Sequence, residues 1–206
     1  MANYMFEVTV SNSVRNQTQN VPGKFGAGTG SSFAPAVCET GALCVQNGLI
    51  PSEGYEQFNI LNGNTWYFNA AANGTVAGNP GDHTHIYAFN NYDVNKATSL
   101  DSELQWNLGA NTLGLSLPAG NRGDFCELIV GEQYTWGADN FTAVPTDEQK
   151  FATIANGKWT PATAAPTTAG VYAEILRTKN MNEGTSYWGK GYVMVIRRAV
   201  AAGAGA

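Results

Sequence analysis

Apolar and polar positions alternate in twos along much of the chain. Phe6, Val8 and Val10 fall on one side of Tyr4–Val10, and Leu113, Leu115 and Leu117 repeat the pattern within residues 111–117. A period of two places alternate side chains on opposite faces, which is a half-buried strand. Phe125–Val130, Gly170–Arg177 and Gly191–Ala199 are denser in Val, Ile, Leu and Tyr, as strands buried on both faces are. Asp82–Phe89 predicts another strand, and Tyr134 and Trp136 begin a further aromatic group.

Three Asn-Gly pairs, Asn47-Gly48, Asn62-Gly63 and Asn156-Gly157, stand between such runs. Both residues tolerate the positive φ of a two-residue type I′ turn, so each pair predicts a hairpin. Lys96–Leu108 is the one helical candidate, with Thr98 or Ser99 as N-cap and Leu100, Leu104 and Leu108 four apart, although Leu104, Trp106 and Leu108 also alternate as a strand. The expected fold is all-β: an antiparallel β-barrel or sandwich built from hairpins, with at most one or two short helices. Residues 1–20 read as an N-terminal strand or arm, 21–199 as the β-rich domain, and 200–206 as a small-residue tail.

Composition narrows the partners. Only 13% of the 206 residues are charged, against about 25% in an average globular protein, and there are 24 glycines. A surface of Asn, Thr and Gly suits extended contacts with proteins or sugars at low field. The net charge of −5 argues against nucleic acid, whose phosphates demand clustered Lys and Arg; Arg197-Arg198 is too short a run. Met1–Val10 carries no basic stretch leading into an apolar one, and no apolar run approaches the roughly 18 residues of a membrane span. The expectation is a protein made in a host cytoplasm, with no membrane partner, whose exported-looking composition fits a virion component released by lysis.

Candidate chemistry is sparse. Cys38, Cys44 and Cys126 are odd in number and read as reduced, buried thiols. His83 and His85 fall on one face of a strand with Asp82 beside them, half of a metal site without a third ligand at a diagnostic spacing. Gly26, Gly28 and Gly30 lack the Gly-Lys-Ser/Thr ending of a phosphate loop. Asp101, Glu103, Glu127, Glu132 and Glu174 are the acids from which a glycosidase pair would be drawn, and the sequence does not pair them. No Gly-x-Ser-x-Gly elbow is present. The expectation is a protein that is not an enzyme, with no cofactor, no metal and no catalytic residue.

Aromatic residues are the better candidates for contact. Trp136, Trp159, Tyr187 and Trp188 have the rings that sugar stacking needs, and glycines at 184, 189 and 191 set Tyr187-Trp188 on a loop tip. A protein interface through Tyr4, Phe6 and Val8 of the first strand and through Tyr187 and Trp188 is the preferred expectation. The first strand would add to a neighbour's open sheet edge.

Phe151-x-Thr-Ile-x-Asn-Gly-Lys-x-Thr-Pro161, with Gly170-Val-Tyr172 and the closing Tyr192–Arg198, resembles the C-terminal part of the capsid decoration (cement) proteins of tailed bacteriophages. The resemblance covers about a quarter of the chain and carries no catalytic content. It implies a β-rich, non-enzymatic protein on the capsid surface, often a homotrimer, that binds the major capsid protein and clamps neighbouring subunits. A glycan-binding head-fibre or receptor-binding domain and a tail or baseplate protein are the alternatives.

Overall fold

The computed structural model describes residues 4–10, 20–25, 37–49, 66–71, 83–90, 116–118, 122–183 and 186–200. Thirteen strands run through them: β1 (Phe6–Val10), β2 (Asn20–Phe25), β3 (Val37–Glu39), β4 (Leu43–Leu49), β5 (Trp66–Ala70), β6 (His83–Asn90), β7 (Ser116–Pro118), β8 (Arg122–Ile129), β9 (Gln133–Gly137), β10 (Phe151–Ala155), β11 (Lys158–Ala162), β12 (Gly170–Glu183) and β13 (Ser186–Ala199). The helical content among them is a single 3-10 turn, Ala138–Asn140. The fold is all-β, as the alternation predicts.

The strands form a six-stranded antiparallel sheet in the order β1-β9-β13-β12-β10-β11, a closed barrel β2-β5-β4-β6-β8, and a small β3-β7 pair. Asn156 (φ 46°) and Gly157 (φ 77°) make the tight turn from β10 to β11, with Ala155 opposite Lys158, as the Asn-Gly pair predicts. Gly157 also ties the sheet to the barrel. Its carbonyl accepts the Leu43 N–H at 2.7 Å, and its N–H donates to the Ala71 carbonyl at 3.0 Å.

All five barrel strands contribute to one apolar cluster: Phe25 from β2, Cys44 from β4, Phe68 from β5, Tyr87 and Phe89 from β6, and Phe125 from β8. The barrel interior is therefore filled by rings, with Phe68 stacked on Phe125 at 3.9 Å between centroids and Tyr87 edge-on to Phe68 at 5.1 Å. The alternate residues of β4, β6 and β8, including Leu43, Ile86, Ala88, Cys126 and Leu128, point the other way. They pack against Tyr134, Trp136, Ile154, Trp159, Met194 and Ile196 of the sheet. Burying side chains of this size contributes about 2–3 kcal/mol each, so this shared layer holds barrel and sheet together.

Several sequence expectations are redrawn. Asn47-Gly48 is not a hairpin turn. It lies inside β4, where the pairing with β5 jumps from Gln46↔Phe68 to Leu49↔Trp66, and the two residues absorb an irregularity in the ladder. The chain reverses instead at Thr40-Gly41, before β4, where Gly41 has φ 78°. One barrel pair, β2 with β5, is parallel, which alternation cannot reveal. The N-terminal strand is seated in the chain's own sheet, Phe6 opposite Trp136 and Val8 opposite Tyr134, rather than extending as an arm. Asn62-Gly63, Gly26–Gly30, Lys96–Leu108, Asp101, Glu103 and Leu113–Leu115 lie outside the described residues.

Candidate functional site

Where the first strand, the mouth of the barrel and the β10–β11 turn meet, they enclose a cavity of about 190 Å³ lined by Tyr4, Cys38, Glu39, Cys44, Asn140 and Lys158 among others. Asn140 organises its rim. It sits in the 3-10 turn, accepts the Met5 N–H on Oδ1 at 3.1 Å, and donates from Nδ2 to the Thr40 carbonyl at 2.7 Å. Trp136 Nε1 donates to the Gly41 carbonyl at 3.0 Å, so the Thr40-Gly41 turn is held from two sides. Lys158 follows the Asn156-Gly157 turn and reaches back, donating from Nζ to the Asp139 carbonyl at 3.0 Å and to the Tyr4 hydroxyl at 3.2 Å.

Two thiols face the cavity. Cys38 Sγ and Cys44 Sγ are 3.8 Å apart and both residues are fully buried, on either side of the turn closed by the Ala42 N–H on the Glu39 carbonyl at 2.9 Å. Burial, then the neighbouring Cys44 thiol and Glu39, push the Cys38 thiol well above its usual range. A thiol so held is protonated at neutral pH and is a poor nucleophile. Burial also raises the Glu39 carboxyl, against the pull of the Lys158 ammonium. The arrangement therefore offers hydrogen bonding and one compensated charge to whatever fills it, without an activated nucleophile.

The remaining candidates are dispersed. His85 is exposed with φ 56°, at a point where the β6–β8 register shifts, so the strict alternation that would put His83 and His85 on one face is broken. The side chain of His83 lies outside the described residues. The His85 N–H donates to Glu127 Oε1 at 3.1 Å, Glu132 accepts from the Tyr134 hydroxyl at 2.8 Å, and Glu174 pairs with Arg197 at 3.0 Å. Each of these three acids has a structural partner. Among the described residues no group of three or more His, Cys, Asp or Glu is placed to hold a metal ion.

The aromatic candidates divide sharply. Trp136 and Trp159 are fully buried and meet edge to face at 5.2 Å, so neither is a platform for a sugar. Phe6 stacks on Tyr134 at 5.7 Å, and Phe6 and Val8 both pack against the core. Tyr4 is half-buried with the Lys158 ammonium 5.1 Å from its ring centre. Tyr187 pairs with Asn182 close to the tip of the β12–β13 hairpin, and Trp188 follows it in β13; their backbone is strand rather than loop, and their side chains lie outside the described residues.

Sequence reasoning missed Asn140, Glu39 and Lys158. Of these only Lys158 carried a signal, its place directly after the Asn-Gly turn. No helix among the described residues is long and apolar enough to cross a membrane. The chain matches no family model, no curated protein and no solved structure.

Proposed function

We propose that the protein is a non-enzymatic virion structural component that binds and reinforces the outside of an assembled bacteriophage capsid. The observation that carries this reading is the open edge of the six-stranded sheet. Among the described residues, β1 has one strand neighbour, β9. At the opposite edge β11 is tied at Trp159, whose carbonyl accepts the Thr142 N–H at 2.8 Å beside a bridge between Phe141 and Trp159. A bare row of main-chain donors and acceptors is a template for a strand from another chain.

Two further features support it. The segments that resemble capsid decoration proteins form β10, most of β11, the start of β12 and half of β13, so they fall in four of the six strands of this sheet. The sparse charge leaves little self-repulsion between copies crowded on a lattice. On a shell of major capsid protein, contacts after the first are intramolecular, so weak edges sum to stable attachment; a homotrimer multiplies them again.

The test is sedimentation of the full chain with undecorated capsids, with a photo-crosslinking amino acid at Glu7 on β1 and, as control, at the exposed Thr163 directly after β11, the strand at the opposite edge of the sheet. Saturable binding with crosslinks to the major capsid protein from position 7 alone is expected. Absence from capsids together with presence in purified tails overturns the capsid reading in favour of a tail or baseplate protein.

A further inference from the structure

β12 is fourteen residues long and β10 only five, so β10 covers one end of it. The two pair through Phe151↔Glu174 and Ala152↔Ala173, and the last bond on that edge runs from the Ile175 N–H to the Lys150 carbonyl at 2.7 Å. The chain before Lys150 then turns away. Gln149 N–H donates to the Thr146 carbonyl at 3.0 Å, and the Gln149 side-chain oxygen accepts the Thr146 N–H at 2.9 Å, which closes the turn on itself. From Leu176 onward no strand among the described residues lies along this edge of β12.

A bulge marks the place where cover ends. Pairing with β13 passes from Ile175↔Met194 to Arg177↔Val193, leaving Leu176 unpaired and 44% exposed. Between this bulge and the 146–149 turn lies a depression of about 380 Å³, lined by Leu176 and Tyr192 and by the charged side chains of Lys150, Arg177, Lys190 and Asp147. Three cations to one acid is the reverse of the whole chain, which has 11 Lys and Arg to 16 Asp and Glu. Glu148 is on the same turn but does not line the depression.

We propose that this depression is a docking site for an extended acidic peptide segment of a partner protein. The segment adds as a strand to β12 beyond Ile175, sets a carboxylate between Lys150 and Arg177, and rests an apolar side chain on Leu176. Main-chain pairing supplies affinity and the alternate side chains supply specificity, as in other strand additions. An arginine fork can hold a carboxylate through two parallel hydrogen bonds, and Lys150 beside Arg177 adds a second exposed positive charge.

A sugar fits less well. The one ring in the depression, Tyr192, is 5% exposed and packs edge-on against Phe141 at 5.0 Å, so no aromatic face is offered for stacking. An open peptide edge, by contrast, is matched by another peptide. The site does not depend on the capsid reading, since its test uses the free chain and no capsid.

The experiment is selection of a displayed random octapeptide library on the full chain, followed by fluorescence anisotropy with the selected peptides. Peptides with Asp or Glu at alternate positions are expected. Replacing those acids by Asn or Gln should weaken binding about tenfold, Lys150→Gln and Arg177→Gln by about threefold to tenfold each, and N-methylation of alternate amides on one peptide edge by tenfold or more. Asp147→Asn should bind at least as tightly as the parent. Selected peptides without acidic enrichment, binding unchanged in Arg177→Gln, or tighter binding of a glucuronate-containing oligosaccharide than of any peptide would each overturn the proposal. Unchanged melting temperatures of the surface variants show that a loss of binding is not a loss of fold.

Discussion

The side chain of Met181 occupies the space that a side chain at Gly191 would need. A Cβ on Gly191 would stand 2.7 Å from Met181 Cγ and 2.7 Å from Thr135 Cγ2, well inside van der Waals contact. β12, β13 and β9 close up here because residue 191 has no side chain, and Met181 is buried as a result.

Gly191→Ala should therefore destabilise the protein by about 2 kcal/mol, the usual cost of forcing a methyl group into a filled core. Adding Met181→Ala should recover part of that loss, so the double variant costs less than the sum of the singles. Urea denaturation midpoints at constant m-value check both statements. Additive effects would show that the two residues do not compete for space.

Tyr134 ties together the two sides of the β8–β9 turn through its hydroxyl, which accepts the Ile129 N–H at 2.9 Å and donates to the Glu132 carboxylate at 2.8 Å, all of it buried. Tyr134→Phe leaves the ring packing in place and strips a partner from both groups. A loss of about 1–3 kcal/mol is expected, larger than for removal of an exposed hydroxyl. The same denaturation measurement reads it.

Alkaline pH should weaken the fold. Burial, with the Glu127 carboxylate adding to it, pushes the Tyr87 phenol up to about 12 from a usual 10. Between these values the unfolded chain releases this proton and the folded chain keeps it, so stability is whole below pH 10 and falls as pH rises toward 12. The slope from this one group reaches at most about 1.4 kcal/mol per pH unit. Tyr87→Phe should flatten the fall in melting temperature between pH 10 and 12; an identical fall would place its cause elsewhere.

The first strand belongs to the domain's own stability. Phe6 packs on Tyr134 and Trp136, at 5.7 and 5.3 Å, while the neighbouring Glu7 makes an exposed ion pair with Lys179 at 2.7 Å. Phe6→Ala should cost about 2 kcal/mol and Glu7→Ala less than about 1 kcal/mol. Deleting residues 2–10 should lower the melting temperature of the isolated chain. An unchanged melting temperature would restore the reading of this segment as a free arm.

The sequence alone determined the all-β class, the positions of β1, β6 and β8, the first half of β12 and the second half of β13, and the Asn156-Gly157 hairpin; the strand backbone at Tyr187-Trp188, which the flanking glycines suggested was a loop, it did not. These follow from local rules: a period of two sorts side chains by face, and a positive φ at two adjacent positions selects Asn and Gly. Tertiary structure decided what local rules leave degenerate. Asn47-Gly48 has the same turn chemistry as Asn156-Gly157, yet it stays within β4, because β5 pairs with the chain on both sides of it, at Gln46 and at Leu49, and the extra residue is taken up as an irregularity in that ladder. Trp136 and Trp159 look in sequence like contact residues, and the packing of barrel on sheet buries both. The cavity at Asn140 joins segments that are 135 and 100 residues away along the chain, Met5 and Thr40. That no described strand follows β12 beyond Ile175 on this edge arises because β10 begins only at Phe151, a difference in the lengths of two strands that pair only after the chain has folded.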